Sequence, residues 1–297
     1  MNLLAATGLV CLARCVAQEL EPRAYSVSPT RTNFAVVGFA RSAGDLAFDP
    51  SLPIDNARAV LYSSFFAYGR AIDFFGRSAN IAVTLPYTWG TLQGDINGAP
   101  QQARRSGLMN PAMRFSVNLY GAPAMDLETF ATYRRKTNVG ASLTIVAPLG
   151  QYDPARLVNI GTNRWAAKPE VGISRRFGNW FFDLYLGAWV FSENDNYQGR
   201  VRQQDPIASA QAHVSYAFKP RLWAAFDANF YTGGRTSVDG IAGNDLQRNS
   251  RVGGTLSIPV TKRQSLKFSG STGAVTNIGG NFVSIGVAYQ YLWGGGL

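Results

Sequence analysis

Beyond residue 15 the chain contains no cysteine, and His213 is its single histidine. The two cysteines, Cys11 and Cys15, both fall within the first 17 residues, so disulfide and thiol chemistry are excluded from everything downstream. One histidine without cysteine partners cannot build an ordinary zinc site either. No run of 18 or more apolar residues occurs in the 297, which excludes a helical membrane span. Neither a Walker A loop nor a dinucleotide glycine fingerprint is present, and no cofactor is expected. Acidic side chains are also in deficit, 18 against 28 bases, and only five of the bases are lysine. The net charge of +10 invites a nucleic-acid reading, but the bases are scattered. No helix-turn-helix, RNP or zinc-finger pattern accompanies them, so no nucleic-acid partner is expected.

What the chain has in quantity is alternation. In Phe282-Val-Ser-Ile-Gly-Val-Ala-Tyr-Gln-Tyr-Leu-Trp293, one face carries Val283, Ile285, Val287, Tyr289, Tyr291 and Trp293. The other carries Ser284, Gly286, Ala288, Gln290 and Leu292. A half-buried soluble strand keeps such a pattern for about five or six residues, whereas a tilted transmembrane strand needs about 9–11. Strands of this kind survive in lipid only when the sheet closes on itself. The chain therefore reads as all-β, a transmembrane antiparallel β-barrel of about 12 strands. Its 31 glycines and 12% aromatic content suit tight turns and interfacial rings.

In order, Leu3 to Ala13 is an apolar segment, and Cys15-Val-Ala17 offers small residues for cleavage before Gln18. Residues 1–17 are read as a signal peptide. Residues 18–30, with Glu19, Glu21, Arg23, Tyr25, Pro22 and Pro29, form a periplasmic arm or partial plug. The barrel occupies 31–293 and a short tail 294–297. Strands are expected at 31–41, 58–73, 80–90, 111–120, 138–149, 164–177, 180–190, 206–218, 222–232, 249–260, 265–275 and 282–293. The spacing of Leu127, Phe130, Ala131 and Arg134 predicts a short helix over 124–133. Residues 91–107, rich in Gly, Asp, Asn and Pro, read as a loop. Short and long connections alternate, as in barrels with short periplasmic turns and longer extracellular loops. The first two strands alternate poorly and their facing stays open.

Candidate chemistry lies on the inward parity. It comprises Arg114, Lys168, Glu170, Arg176, Asp183, Tyr185, Gln211, His213, Trp223, Asp227, Asn229, Tyr231, Arg251 and Lys267. Such charges either cross-pair and fill the barrel or line a water-filled path. His213 shares parity with Gln211 and Ser215, and points inward rather than toward lipid. No catalytic, cofactor-binding or metal-ligating residue is therefore assigned. Tyr185, Trp223 and Tyr231 favour an amphipathic, aromatic solute.

Several stretches together carry a likeness. They are Glu21-Pro-Arg-Ala-Tyr-Ser-Val-Ser-Pro29, Phe48-Asp-Pro-Ser-Leu-Pro53, Asn118-Leu-Tyr-Gly-Ala-Pro-Ala124, Gly140-Ala-Ser-Leu-Thr144, Ala147-Pro-Leu-Gly-Gln-Tyr-Asp-Pro154, Asn159-Ile-Gly-Thr-Asn-Arg-Trp165, Tyr231-Thr-Gly-Gly-Arg235 and Asn249-Ser-Arg-Val-Gly253. As an ordered set spanning residues 21–253, they resemble the outer-membrane transporter family named for the meta-pathway of phenol degradation. The resemblance implies a barrel in the outer membrane of a Gram-negative bacterium, associated with uptake of aromatic compounds. It carries over no catalytic or binding residue. The expected partners are outer-membrane lipid, lipopolysaccharide and a small solute, and the expected function is passive uptake without covalent chemistry. Two alternatives come from other classes: a lipid-modifying enzyme using His213, and a closed structural or adhesive barrel. Oligomeric state is left open.

Overall fold

An apolar face on alternate residues needs a cover, and a sheet edge in lipid needs a partner. The computed structural model describes residues 20–45, 54–96, 98–133, 137–156, 158–277 and 281–296. The expected leader, residues 18–19 of the arm and residue 297 lie outside the described residues. The chain forms β1 (Thr32–Asp45), β2 (Ile54–Phe74), β3 (Arg77–Ile96), β4 (Ala99–Leu108), β5 (Ala112–Tyr120), a helix α1 (Leu127–Thr132) and β6 (Thr137–Val146). There follow β7 (Ala166–Phe177), β8 (Trp180–Phe191), β9 (Asn194–Tyr197), β10 (Arg200–Gln204), β11 (Ile207–Lys219) and β12 (Leu222–Gly233). The last are β13 (Thr236–Val238), β14 (Ile241–Ala242), β15 (Gln247–Pro259), β16 (Gln264–Thr276) and β17 (Phe282–Gly294).

Twelve of the described strands close into one antiparallel barrel: β1, β2, β3, β5, β6, β7, β8, β11, β12, β15, β16 and β17. Closure runs from Thr32↔Gly294 to Gly44↔Phe282, so the first strand pairs with the last. Short turns join β2 to β3, β7 to β8, β11 to β12 and β15 to β16 at the end where the chain enters and leaves the barrel. In the first of these, Phe75 and Gly76 both adopt positive φ, as a two-residue type I′ hairpin requires. The Asp73 carboxylate accepts a hydrogen bond from the Gly76 amide at 2.7 Å and fixes that turn.

The outer face is a band of exposed aliphatic side chains, among them Val83, Leu85, Leu143, Val171, Leu184, Ile285 and Val287. Aromatic rings gather at both rims of the band. Phe39, Tyr62 and Trp89 lie 6.0–6.2 Å apart at the loop end. Tyr68 with Trp293, and Trp180 with Tyr216, gather at the turn end. Such double girdles mark the two interfaces of a bilayer.

Two sequence expectations need correction, and one open point closes. Residues 91–107 are not an irregular loop: β2 and β3 run on past the aromatic rim, and β4 pairs with β3 from Tyr87↔Leu108 to Ile96↔Ala99. Residues 194–204 and 236–242 likewise form a four-stranded sheet at the loop end. Outside the bilayer both sides of a hairpin are wet, so the ladder persists while the hydrophobic alternation that advertises it disappears. The facing of β1 and β2 is now assigned. Phe34 pairs with Gly69, and Gly38 with Phe65, all on the inner side. A Cβ at either glycine would overlap the facing phenylalanine ring. Val37, Phe39, Phe66 and Tyr68 face out. Both faces of these strands are apolar, which erased their alternation.

Candidate functional site in the barrel lumen

The inner wall has two sides. On β1 and β2 it is apolar: Phe34, Val36, Leu61, Phe65 and Ala67 share the inner register, and all but Ala67 are partly accessible. From β6 to β15 it is polar and mostly buried. Glu170 on β7 is its hub, with the Lys168 ammonium at 2.7 Å and the Arg114 guanidinium at 3.3 Å. The Gln211 amide donates to the same carboxylate at 3.2 Å. Paired bases and directed hydrogen bonds of this kind offset the cost of burying a carboxylate.

His213 is 1% exposed, and its Nδ1 lies 2.7 Å from Asp227 Oδ1, whose other oxygen accepts from the Thr255 hydroxyl. Tyr185 packs beside the imidazole, with ring centroids 5.2 Å apart. Asp183 accepts from the Ser174 hydroxyl. Asn229 accepts from the Arg251 amide at 3.2 Å, and the Arg251 guanidinium lies 3.9 Å from the Phe282 ring. Tyr231 sits apart from this group, in an apolar cluster with Val146, Trp189 and Ile207 toward the loop end. Arg176 is near the short-turn mouth, where its Nε donates to the Gly178 carbonyl. Lys267 is half-buried on β16, opposite Ser257 and Ala288. Trp223 is half-buried beneath the Arg23 guanidinium, which lies 5.2 Å from its ring and 4.2 Å from that of Phe181.

That last contact belongs to the N-terminal arm, which enters the barrel. Arg23 donates its amide to Asp183 and Ala24 donates its amide to the Tyr185 hydroxyl. Glu21 pairs with Arg114 at 3.1 Å on β5, while the adjacent Leu20 reaches Gly253 on β15. By strand order those two strands stand on opposite sides of the ring. The arm therefore crosses the lumen. Tyr25 is 2% exposed, its hydroxyl 3.2 Å from both Ser142 Oγ and Glu170 Oε1. Where the arm leaves for β1, Thr30 donates its amide and its hydroxyl to the Met125 carbonyl, just ahead of α1. Asp126 caps that helix by accepting from the Thr129 amide at 2.8 Å.

Two arm groups have displaced proton affinities. Burial works to raise the Glu21 carboxyl, but Arg114, with Lys267, Lys168 and His213 behind it, more than offsets this and holds it below its ordinary value. About half of that side chain, 52%, is accessible, but the surface faces the lumen rather than bulk water. The Tyr25 phenol is pushed up to about 12 by burial and by the charge of Glu170. It stays protonated and donates. Inward parity alone could not show Ser142, Gly140 and Gly172 as contributors, since small side chains matter here only through what they admit.

A family model described as "Putative MetA-pathway of phenol degradation" matches residues 56–293. The chain belongs to that family. Among solved structures it is similar to an outer-membrane channel from Pseudomonas putida F1, at 18% identity and a TM-score of 0.77, covering 93% of this chain and 100% of that one. It is also similar to the transport unit of the autotransporter AIDA-I from Escherichia coli. There the identity is 10% and the TM-score 0.55, covering 97% and 99% of the two chains. No curated protein sequence matches it. At these identities the likeness establishes the closed barrel architecture. The family membership rests on the sequence match.

Proposed function

We propose that this family member is an outer-membrane channel for passive passage of small aromatic or otherwise amphipathic solutes, with residues 20–30 acting as a partial plug. The observation that carries the reading is the two-sided lumen. The arm covers the polar side, while Phe34, Val36, Leu61 and Phe65 remain accessible on the other. An aromatic solute could slide along the apolar side without stripping the ion pairs and hydrogen bonds around Glu170 and Asp227 opposite. The family and the architecture of the Pseudomonas channel support the same assignment. His213 is turned onto Asp227 and sealed from the outer face, which weighs against lipid chemistry.

The test is conductance of the purified barrel in planar bilayers, with phenol uptake into liposomes alongside. Deleting residues 20–28 should raise both several-fold while leaving heat-modifiable gel migration intact. A well-folded deletion variant with unchanged conductance and uptake would refute the plug. Recovery of the protein in a soluble fraction without detergent would refute the membrane assignment.

A further inference from the structure

Gly140 and Gly172 face each other across β6 and β7, and both are on the inner side. Paired glycines weaken a sheet, and usually mark a place where something must approach the backbone closely. Here that something is one ring. A Cβ at either position would overlap the Tyr25 side chain. The next inward pair along the same two strands is Ser142↔Glu170, and it receives the hydroxyl at the end of that ring. The remaining sides are closed by the Tyr185 ring, edge-on at 5.1 Å, and by the Arg114 guanidinium, 5.7 Å from the ring centroid. Two successive register pairs thus supply a flat floor and a hydroxyl acceptor at its end.

The Tyr25 side chain is 4-methylphenol on a tether. We propose that this slot is a binding site for free phenols, occupied in the resting protein by the arm's own phenol, and that a phenolic solute competes with Tyr25 for it. Its consequence for transport rests on the channel reading above; occupancy of the slot does not. The hydroxyl end of the slot meets the Glu170 carboxylate at 3.2 Å, an acceptor that favours the neutral phenol over phenolate, in line with the raised proton affinity of Tyr25. Tethering gives Tyr25 an effective concentration on the order of millimolar, so phenols displace it only when abundant. The arm would then loosen when the solute it withholds is plentiful.

The probe is 4-fluorophenol, observed by fluorine NMR with the detergent-solubilised full barrel, and fluorobenzene is the control lacking the hydroxyl. Tyr25→Ala should bind 4-fluorophenol saturably, about tenfold or more tighter than the wild type, in which the arm competes. It should also prefer 4-fluorophenol to fluorobenzene by about tenfold or more, as expected for a hydrogen bond to a charged acceptor. Gly140→Val in that background should abolish the preference, and Gly172→Val should do the same. Should Tyr25→Ala not fold, the deletion of residues 20–28 presents the same vacant slot. Equal binding of the two probes, equal binding to wild type and Tyr25→Ala, or binding that survives both glycine substitutions would overturn the proposal. Conductance of the deletion variant is a separate readout. It can rise, upholding the plug, while indifference to 4-fluorophenol removes the slot.

Discussion

Glu21 makes the arm's docking sensitive to acid. Its carboxyl is depressed in the docked state, so the stabilisation it gives is fully present above its ordinary value of 4.5 and is lost as pH falls through the lowered one. The groups facing it are Arg114, Lys267, Lys168 and His213. Their attraction is to the ionised carboxylate, so the part of the docking energy that Glu21 supplies ends when Glu21 takes up a proton. Conductance in planar bilayers should be flat from pH 7 to about 5 and rise below pH 4.5. Glu21→Gln should show the raised conductance already at pH 7. A profile that is the same for both proteins down to pH 3 would remove Glu21 from the docking energy.

At the scale of the strand, lipid and lumen divide each element residue by residue. Arginine at Val287 or Leu143 places a charge in the apolar band and should cost about 2–4 kcal/mol in folding titrations into lipid. Arginine at Ser284, on the inner parity and half-exposed, should cost less than either. Equal costs would mean the faces are wrongly assigned. Ser142 shares that inner parity yet makes a poor control, because it touches the Tyr25 hydroxyl and Arg114 and has no room for a longer side chain. This contrast shows what was legible in the sequence. Lipid forces a period-two pattern, so the number of barrel strands and the alternating turn lengths could be read directly from the residues. The pattern fails where lipid does not write it: in the extension of β2, β3 and β4, in the small sheet at the loop end, and in β1 and β2, where an apolar inner face mimics the outer one. The slot could not be read either. Its floor is two glycines separated by 32 positions, brought together only by the register of β6 and β7.

Across the whole barrel, charge and obstruction are separable. The lumen bases Arg114, Lys168, Arg176, Arg251 and Lys267 outnumber the wall carboxylates Glu170, Asp183 and Asp227. Between walls of low dielectric such an excess acts over the full width of the path and is only partly screened by salt. The open channel should therefore pass chloride in preference to potassium, as read from the sign of the reversal potential across a KCl gradient. Residues 20–28 contain one acid, Glu21, and one base, Arg23, so their removal leaves the balance of charge unchanged. The deletion should thus raise conductance several-fold while the sign of the reversal potential stays the same. Lys267→Glu in the deletion background, where Glu21 is gone and the arm cannot respond to the reversed charge, alters the balance at a half-exposed position and should shift the reversal potential toward that of potassium at similar conductance. If the deletion reversed the selectivity, the arm would be the filter as well as the plug. If Lys267→Glu left the reversal potential where it was, the ions would not be passing along this wall.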